Sequence, residues 1–471
     1  MLFFLAVPLT SDQPTSDPPY DRVRVVGLFL FFLLVIAAFW IQKPIRTSRF
    51  LAALGPQQLP WVKLGTALLI LPVVLLYSKI TARYRRESIV YMCTAVFVAC
   101  SLLFWSLFTT KAADWTHYVY FFYVDIFNSV MVAVFWSFAN DISTPEQARR
   151  DYGFIGAGGI IGGAVGSGIT GWTVEHLGMP NLLLICIGLL IAVAATARVV
   201  ARRSAPQEAS ATRPEASLSD ALAGARLTLH SRYLIAIALL VVSYEIVSNI
   251  IDYQFNTFVA QRYPDQQVMA SFIGRFSTAS IAASAVVQVV LTTWILRRWG
   301  PRVGLLILPC ALALGSGAFL LVPLFSAIAA AFFADATLSY SLNQASKEVL
   351  YTPTDEATKY QAKAFIDMFL MRFGKGLSAI MILVWTAWLL PTGVQQLAIV
   401  SLVVIAGWLL VARAAARGFA QQTSSGSTEP RSTAARSPAE TRDAEVGGAV
   451  GSPSSTPALA TAGGALRKQP D

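Results

Sequence analysis

Runs of roughly twenty apolar residues, repeated along the whole chain, restrict this sequence more than any other feature. Val25 to Trp40, Trp61 to Tyr77, Ile89 to Phe108, Asn181 to Val200 and Leu305 to Leu324 each approach or reach the length of a bilayer-crossing helix. A segment at that depth must satisfy its own backbone hydrogen bonds, which leaves helix as the solution for isolated apolar runs. The pattern recurs about twelve times between Val25 and Arg413. The fold class read from it is an all-α polytopic membrane protein of about twelve transmembrane helices. With 55% hydrophobic and 13% charged residues in 471, an ordinary soluble globule is excluded.

The formal net charge of +10 does not point to nucleic acid. A nucleic-acid surface would gather its cations on one soluble face. Here they fall in short loops: Lys79 to Arg86, Arg198 to Arg226, and Arg297, Arg298 and Arg302. Loops near Leu177 and Pro391 are almost uncharged. Because cytoplasmic loops are the basic ones, this alternation predicts a multi-pass protein of the cytoplasmic membrane with both termini inside. Lys43, Arg46 and Arg49 break the rule at the outer end of the first span, either as a locally tolerated exception or because some of them lie in a cavity.

The polar stretch "RRSAPQEASATRPEASLS" divides the apolar part in two. The expected organisation is an N-terminal tail over 1–22, a first six-helix bundle over 23–200, a cytoplasmic linker over 201–230, and a second six-helix bundle over 231–416. A Ser, Thr, Pro, Ala and Gly-rich tail over 417–471 is expected to be disordered. Two bundles rocking around a midplane site is the layout of the major facilitator architecture. The opening "MLFFLAVPLT" lacks the basic start of a secretory signal.

Cys93, Cys100, Cys186 and Cys310 lie in apolar spans without metal or disulfide spacing. His117, His176 and His230 stand near span ends, and no nucleophile and base arrangement is visible. The reading is a non-enzyme with no metal or cofactor. "GSGITG" formally matches a dinucleotide fingerprint but lacks the strand context that motif needs. Gly158, Gly159, Gly162, Gly163 and Gly166 instead form small-xxx-small pairs, a groove for close helix packing beside a cavity or gate.

The stretch "SYEIVSNIIDYQFN" carries Glu245, Asn249, Asp252 and Asn256 at spacings of 4, 3 and 4, one face of a helix. Ionisable residues at that depth are costly and point at water, a partner or a substrate. Other intramembrane candidates are Lys43 and Arg46 in span one, Asp125 and Asn128 in span four, Asp335, Ser339 and Asn343 in span ten, and Asp367, Arg372 and Lys375 in span eleven. Cations such as Lys43, Arg46, Arg372 and Lys375 suit an anionic small-molecule substrate. Carboxylates such as Glu245 and Asp252 would neutralise them in the empty state or carry protons.

Four segments resemble the nucleotide (ATP/ADP) translocase family and its bacterial relatives: "FWSFANDISTPEQARRDYGFIGAGGIIGG", "NIIDYQFN" followed by "FIGRFSTAS", "ASKEVLYTPTDEATKYQAKAFIDMFLMRFGKG", and the weaker "IQKPIRTSRFLAAL". The resemblance implies a major facilitator fold and nucleotide exchange across a membrane. It places Lys43 or Arg46 at the family's first basic position, Asp252 at the acid of span seven, Lys375 at the lysine of a "GK" motif, and Asp125 near an acid of span four. Where the family commonly has a lysine four residues after the span-seven acid, this chain has Asn256, and Asp252 stands where Glu is usual. Two other readings are a proton-coupled transporter of an unrelated metabolite or drug, and a non-transporting membrane partner.

Overall fold

The computed structural model describes residues 21–110, 113–203, 218–354, 362–363, 365–388 and 393–426. The helices run in the order α1 (Arg22–Leu54), α2 (Leu59–Arg83), α3 (Arg86–Thr109), α4 (Trp115–Asp141), α5 (Pro145–Leu177), α6 (Met179–Arg203) and a short α7 (Leu218–His230). They continue as α8 (Arg232–Arg262), α9 (Gln266–Val286), α10 (Thr293–Leu321), α11 (Phe325–Leu338), α12 (Gln344–Leu350), α13 (Met371–Trp388) and α14 (Leu397–Gly426).

Ten helical stretches are long and apolar enough to cross a membrane. One of them, Gln266–Leu321, is two spans: Gly300 adopts φ 73, a left-handed conformation that breaks the helix ahead of Pro301. The helical run over 366–388 adds another, so the described residues hold the expected twelve. Local chemistry sets several starts. Asp21 accepts from the amides of Val23 and Arg24, and Thr144 with Gln147 forms a reciprocal capping box ahead of Pro145.

Two hydrophobic cores sit side by side. One is built mainly from α1 and α3 to α6, around Phe31, Phe127, Phe135 and Leu190. The other is built mainly from α8 to α14, around Ile250, Phe255, Leu312 and Trp408. The glycine row of α5 sets the tightest contact of the first half. A Cβ on Gly158, Gly162 or Gly166 would run into the backbone carbonyls of Phe29, Leu33 and Ala37, one turn apart on α1. Glycines four apart thus mesh with carbonyls four apart.

Two boundaries differ from the sequence reading. Residues 218–230, assigned to the linker, form α7, a segment of Leu, Ala and Arg with good helix propensity. Residues 417–426, assigned to the tail, continue α14, because Gly418 lets the helix press on the Tyr233 ring and Phe419 packs on the second core. Residues 1–20, 204–217 and 427–471 lie outside the described residues.

Candidate functional site

A cavity of about 520 Å³ lies between the halves, a size suited to a small-molecule ligand. α1 contributes Trp40 and Lys43, and α5 its second glycine row, Gly159 and Gly163. α8 presents Tyr244, Glu245, Ser248, Asn249 and Asp252. α11 brings Asp335, α12 Lys347 and α13 Lys375. A π-helical turn over Ser339–Asn343 joins α11 to α12 and adds Ser339, Tyr340 and Asn343. Such turns widen a helix locally and recur at functional sites.

The halves meet where α5 ends and α9 begins. Ser271 Oγ and Arg275 Nε both donate to the carbonyl of Gly171, at 2.8 and 2.7 Å. The hydroxyls of Ser167 and Thr278 lie 2.8 Å apart. Gly171 and Gly274 bring the two backbones together: a Cβ on Gly274 would sit 2.6 Å from the Gly171 nitrogen.

Charges around the cavity are matched with one exception of each sign. Lys63 of α2 pairs with Asp252 of α8 and reaches Asn249 Oδ1 at 3.4 Å. Lys375 stands 3.9 Å from Glu245, where Gly374 lets α13 press on α8, and Lys347 is 3.1 Å from Asp367. Arg46 pairs with Asp125 and lies over the Phe121 ring, while Thr66 donates to the other Asp125 oxygen at 3.3 Å. The Lys43 ammonium rests 4.2 Å from the Trp40 ring centroid and has no carboxylate partner among the described residues. Asp335 accepts from Ser248 at 2.6 Å and has no cation partner among them.

Residues 105–339 and 333–419 match the TLC ATP/ADP transporter family. The chain belongs to that family. Among its relatives in the family is the plastidic ATP/ADP-transporter of Solanum tuberosum, 25% identical over 65% of this chain and 54% of its own length. ADP,ATP carrier protein 1, chloroplastic, of Arabidopsis thaliana is 26% identical over 73% of this chain and 61% of its own. The chain therefore spans little more than half the length of these plant carriers. ADP,ATP carrier protein 1 of Chlamydia trachomatis is 22% identical over 77% of this chain and 84% of its own length. Among solved structures, a bacterial homolog of the human lysosomal transporter Spinster, inward-facing and unoccupied, superposes with TM-score 0.59 at 15% identity, covering 86% of this chain and 99% of its own. The nucleoside transporter NupG gives 0.58 at 13% identity, with 86% and 99% covered. These likenesses establish the major facilitator fold.

For this TLC family chain, the sequence-derived residues divide into three groups. Lys43, Glu245, Asn249, Asp252 and Lys375 converge on the cavity. Arg46 and Asp125 are consumed by each other outside its lining. Asn256 and Arg372 do not line it: Asn256 is 7% exposed and donates back to the Asp252 carbonyl and carboxylate at 2.8 and 3.0 Å, while Arg372 is half-buried elsewhere on α13. The face predicted from spacing therefore ends at Asp252. Sequence reasoning missed Lys63 and Lys347. Each had a usable signal: Lys63 interrupts the apolar run "WVKLGTALLI", and Lys347 follows Asn343 by four residues. Lys63 also gives Asp252 a cation from α2, where the resemblance led to the expectation of a lysine at the position of Asn256.

Proposed function

We propose that this protein is a secondary transporter that moves an anionic solute, nucleotide-like in class, by alternating access. The observation that carries the reading is Lys43. Its ammonium lines the cavity with no carboxylate partner among the described residues, so it is available to an anion, and it rests over the Trp40 ring. Lys375, loosely held at 3.9 Å from Glu245, is a second cation that an incoming anion can engage. Relatives named ADP,ATP carriers support nucleotide as the substrate class. The basic loops support an orientation with both termini in the cytoplasm of a cytoplasmic membrane. In this orientation the α5 and α9 contact closes the outer side.

The test is uptake of labelled ATP and ADP into proteoliposomes, empty or preloaded with unlabelled nucleotide. Counter-exchange that requires preloading and falls in Lys43→Ala supports the reading. Absence of nucleotide flux from folded wild-type protein overturns nucleotide as the substrate class.

A further inference from the structure

We propose that Asp335 is the site at which this transporter loads and releases a proton in step with its substrate; the inference rests on the transporter reading above. Asp335 lines the cavity from α11 and is 5% exposed. Its Oδ2 accepts from Ser248, and its Oδ1 is buried with no hydrogen-bond partner in the described structure. The other carboxylates around the cavity each have a cation: Glu245 has Lys375, Asp252 has Lys63, Asp125 has Arg46 and Asp367 has Lys347. Asp252, Asp125 and Asp367, each directly paired, are therefore poorly suited to carry a proton, while Lys375 sits only loosely by Glu245. Among the described residues Asp335 has neither a counter-charge nor a donor on Oδ1.

The surroundings reinforce the contrast. α8 faces the same cavity with the carboxylates Glu245 and Asp252 and with Tyr244 beside them on the wall. α9 presents Phe276, Ser277 and Ser280 to the cavity, and α10 presents Leu305. The π-helical turn adds Ser339 and Tyr340, and the lysine beyond it on α12, Lys347, is committed to Asp367. Lys43 faces the same cavity from α1 and is the cation assigned above to the substrate. A buried carboxylate without a cation is stabilised by binding a proton.

The step is a simple proton transfer. Hydronium in cavity water gives its proton to Oδ1, forming one O–H bond and leaving water, and the reverse occurs when the cavity opens to the other side. An anionic substrate adds negative charge to a wall that already holds Glu245 and Asp252, so its arrival favours the loaded form of Asp335. The π-helical turn that starts at Ser339, one helical turn after Asp335, gives α11 a place to bend as the halves rock.

Two readouts test this on the full-length protein in liposomes. Infrared difference spectra on raising the pH are expected to show loss of a protonated carboxyl C=O band. That band is absent in Asp335→Asn and retained in Glu245→Gln and Asp252→Asn. ATP uptake is expected to respond to an imposed pH gradient, with the response lost in Asp335→Asn and kept in Asp335→Glu. A band that persists in Asp335→Asn, or a wild-type flux indifferent to the gradient, overturns the proposal. If wild-type protein moves no ATP, the nucleotide reading fails while the infrared assignment still decides whether Asp335 holds a proton.

Discussion

Lys63 of α2 and Asp252 of α8 hold each other across the boundary between the two halves of the molecule. Neither side chain is fully buried, at 19% and 31% exposed, so the pair borders water in the cavity. Its expected value lies between the ~1 kcal/mol of exposed pairs and the ~3–5 kcal/mol lost when a buried pair is broken. Neutralising one partner leaves the other unpaired at membrane depth. Lys63→Met and Asp252→Asn should each lower the melting temperature of purified protein. The double variant should melt higher than the sum of the single losses predicts, because it leaves no orphan charge. Strict additivity in a thermal unfolding series would count against the pair.

The cavity lysines and Arg372 make opposite predictions. Losing a charge-assisted contact costs about 1.5–3 kcal/mol, roughly ten- to a hundred-fold in affinity. Titration calorimetry with ATP should show this weakening for Lys43→Ala and Lys375→Ala. Arg372→Ala should bind as the wild type does, since Arg372 does not line the cavity.

The α5 glycine row predicts a packing failure. Gly162→Val puts a branched side chain against the Leu33 carbonyl, and overpacking of this kind costs about 1–3 kcal/mol. Size-exclusion chromatography of solubilised protein should show reduced monodisperse yield. Gly188→Val is the control, because a Cβ at Gly188 meets open space. Equal behaviour of the two variants would remove the interlocking of α1 and α5 as the cause.

Closure at the α5 and α9 contact predicts a reversible lock. The Ser167 and Thr278 hydroxyls touch across the two halves. Ser167→Cys combined with Thr278→Cys should form a disulfide on oxidation, stop flux, and recover it on reduction. Flux that continues through the oxidised protein would show that these helices do not separate during transport.

Much of the fold was legible because it depends on local composition. Apolar runs of bilayer length and glycines four apart each act within a few turns of one helix. The spacing of Glu245, Asn249 and Asp252 likewise put all three on one face, and all three reach the cavity. The same rule failed one turn later. Asn256 has a local alternative, the carboxylate and carbonyl of Asp252, and takes it.

By itself, then, the sequence determined that this chain crosses a membrane many times, where the glycine seam lies, and which face of α8 is polar. Helical period is a property of one segment, so those answers needed no partner. Only the tertiary structure decided that Lys63 belongs to Asp252, that Arg46 and Asp125 consume each other, and that Asp335 has no cation partner among the described residues. Ion pairing is settled by which helix faces which. Lys63 and Asp252 are 189 residues apart, and no local pattern links them.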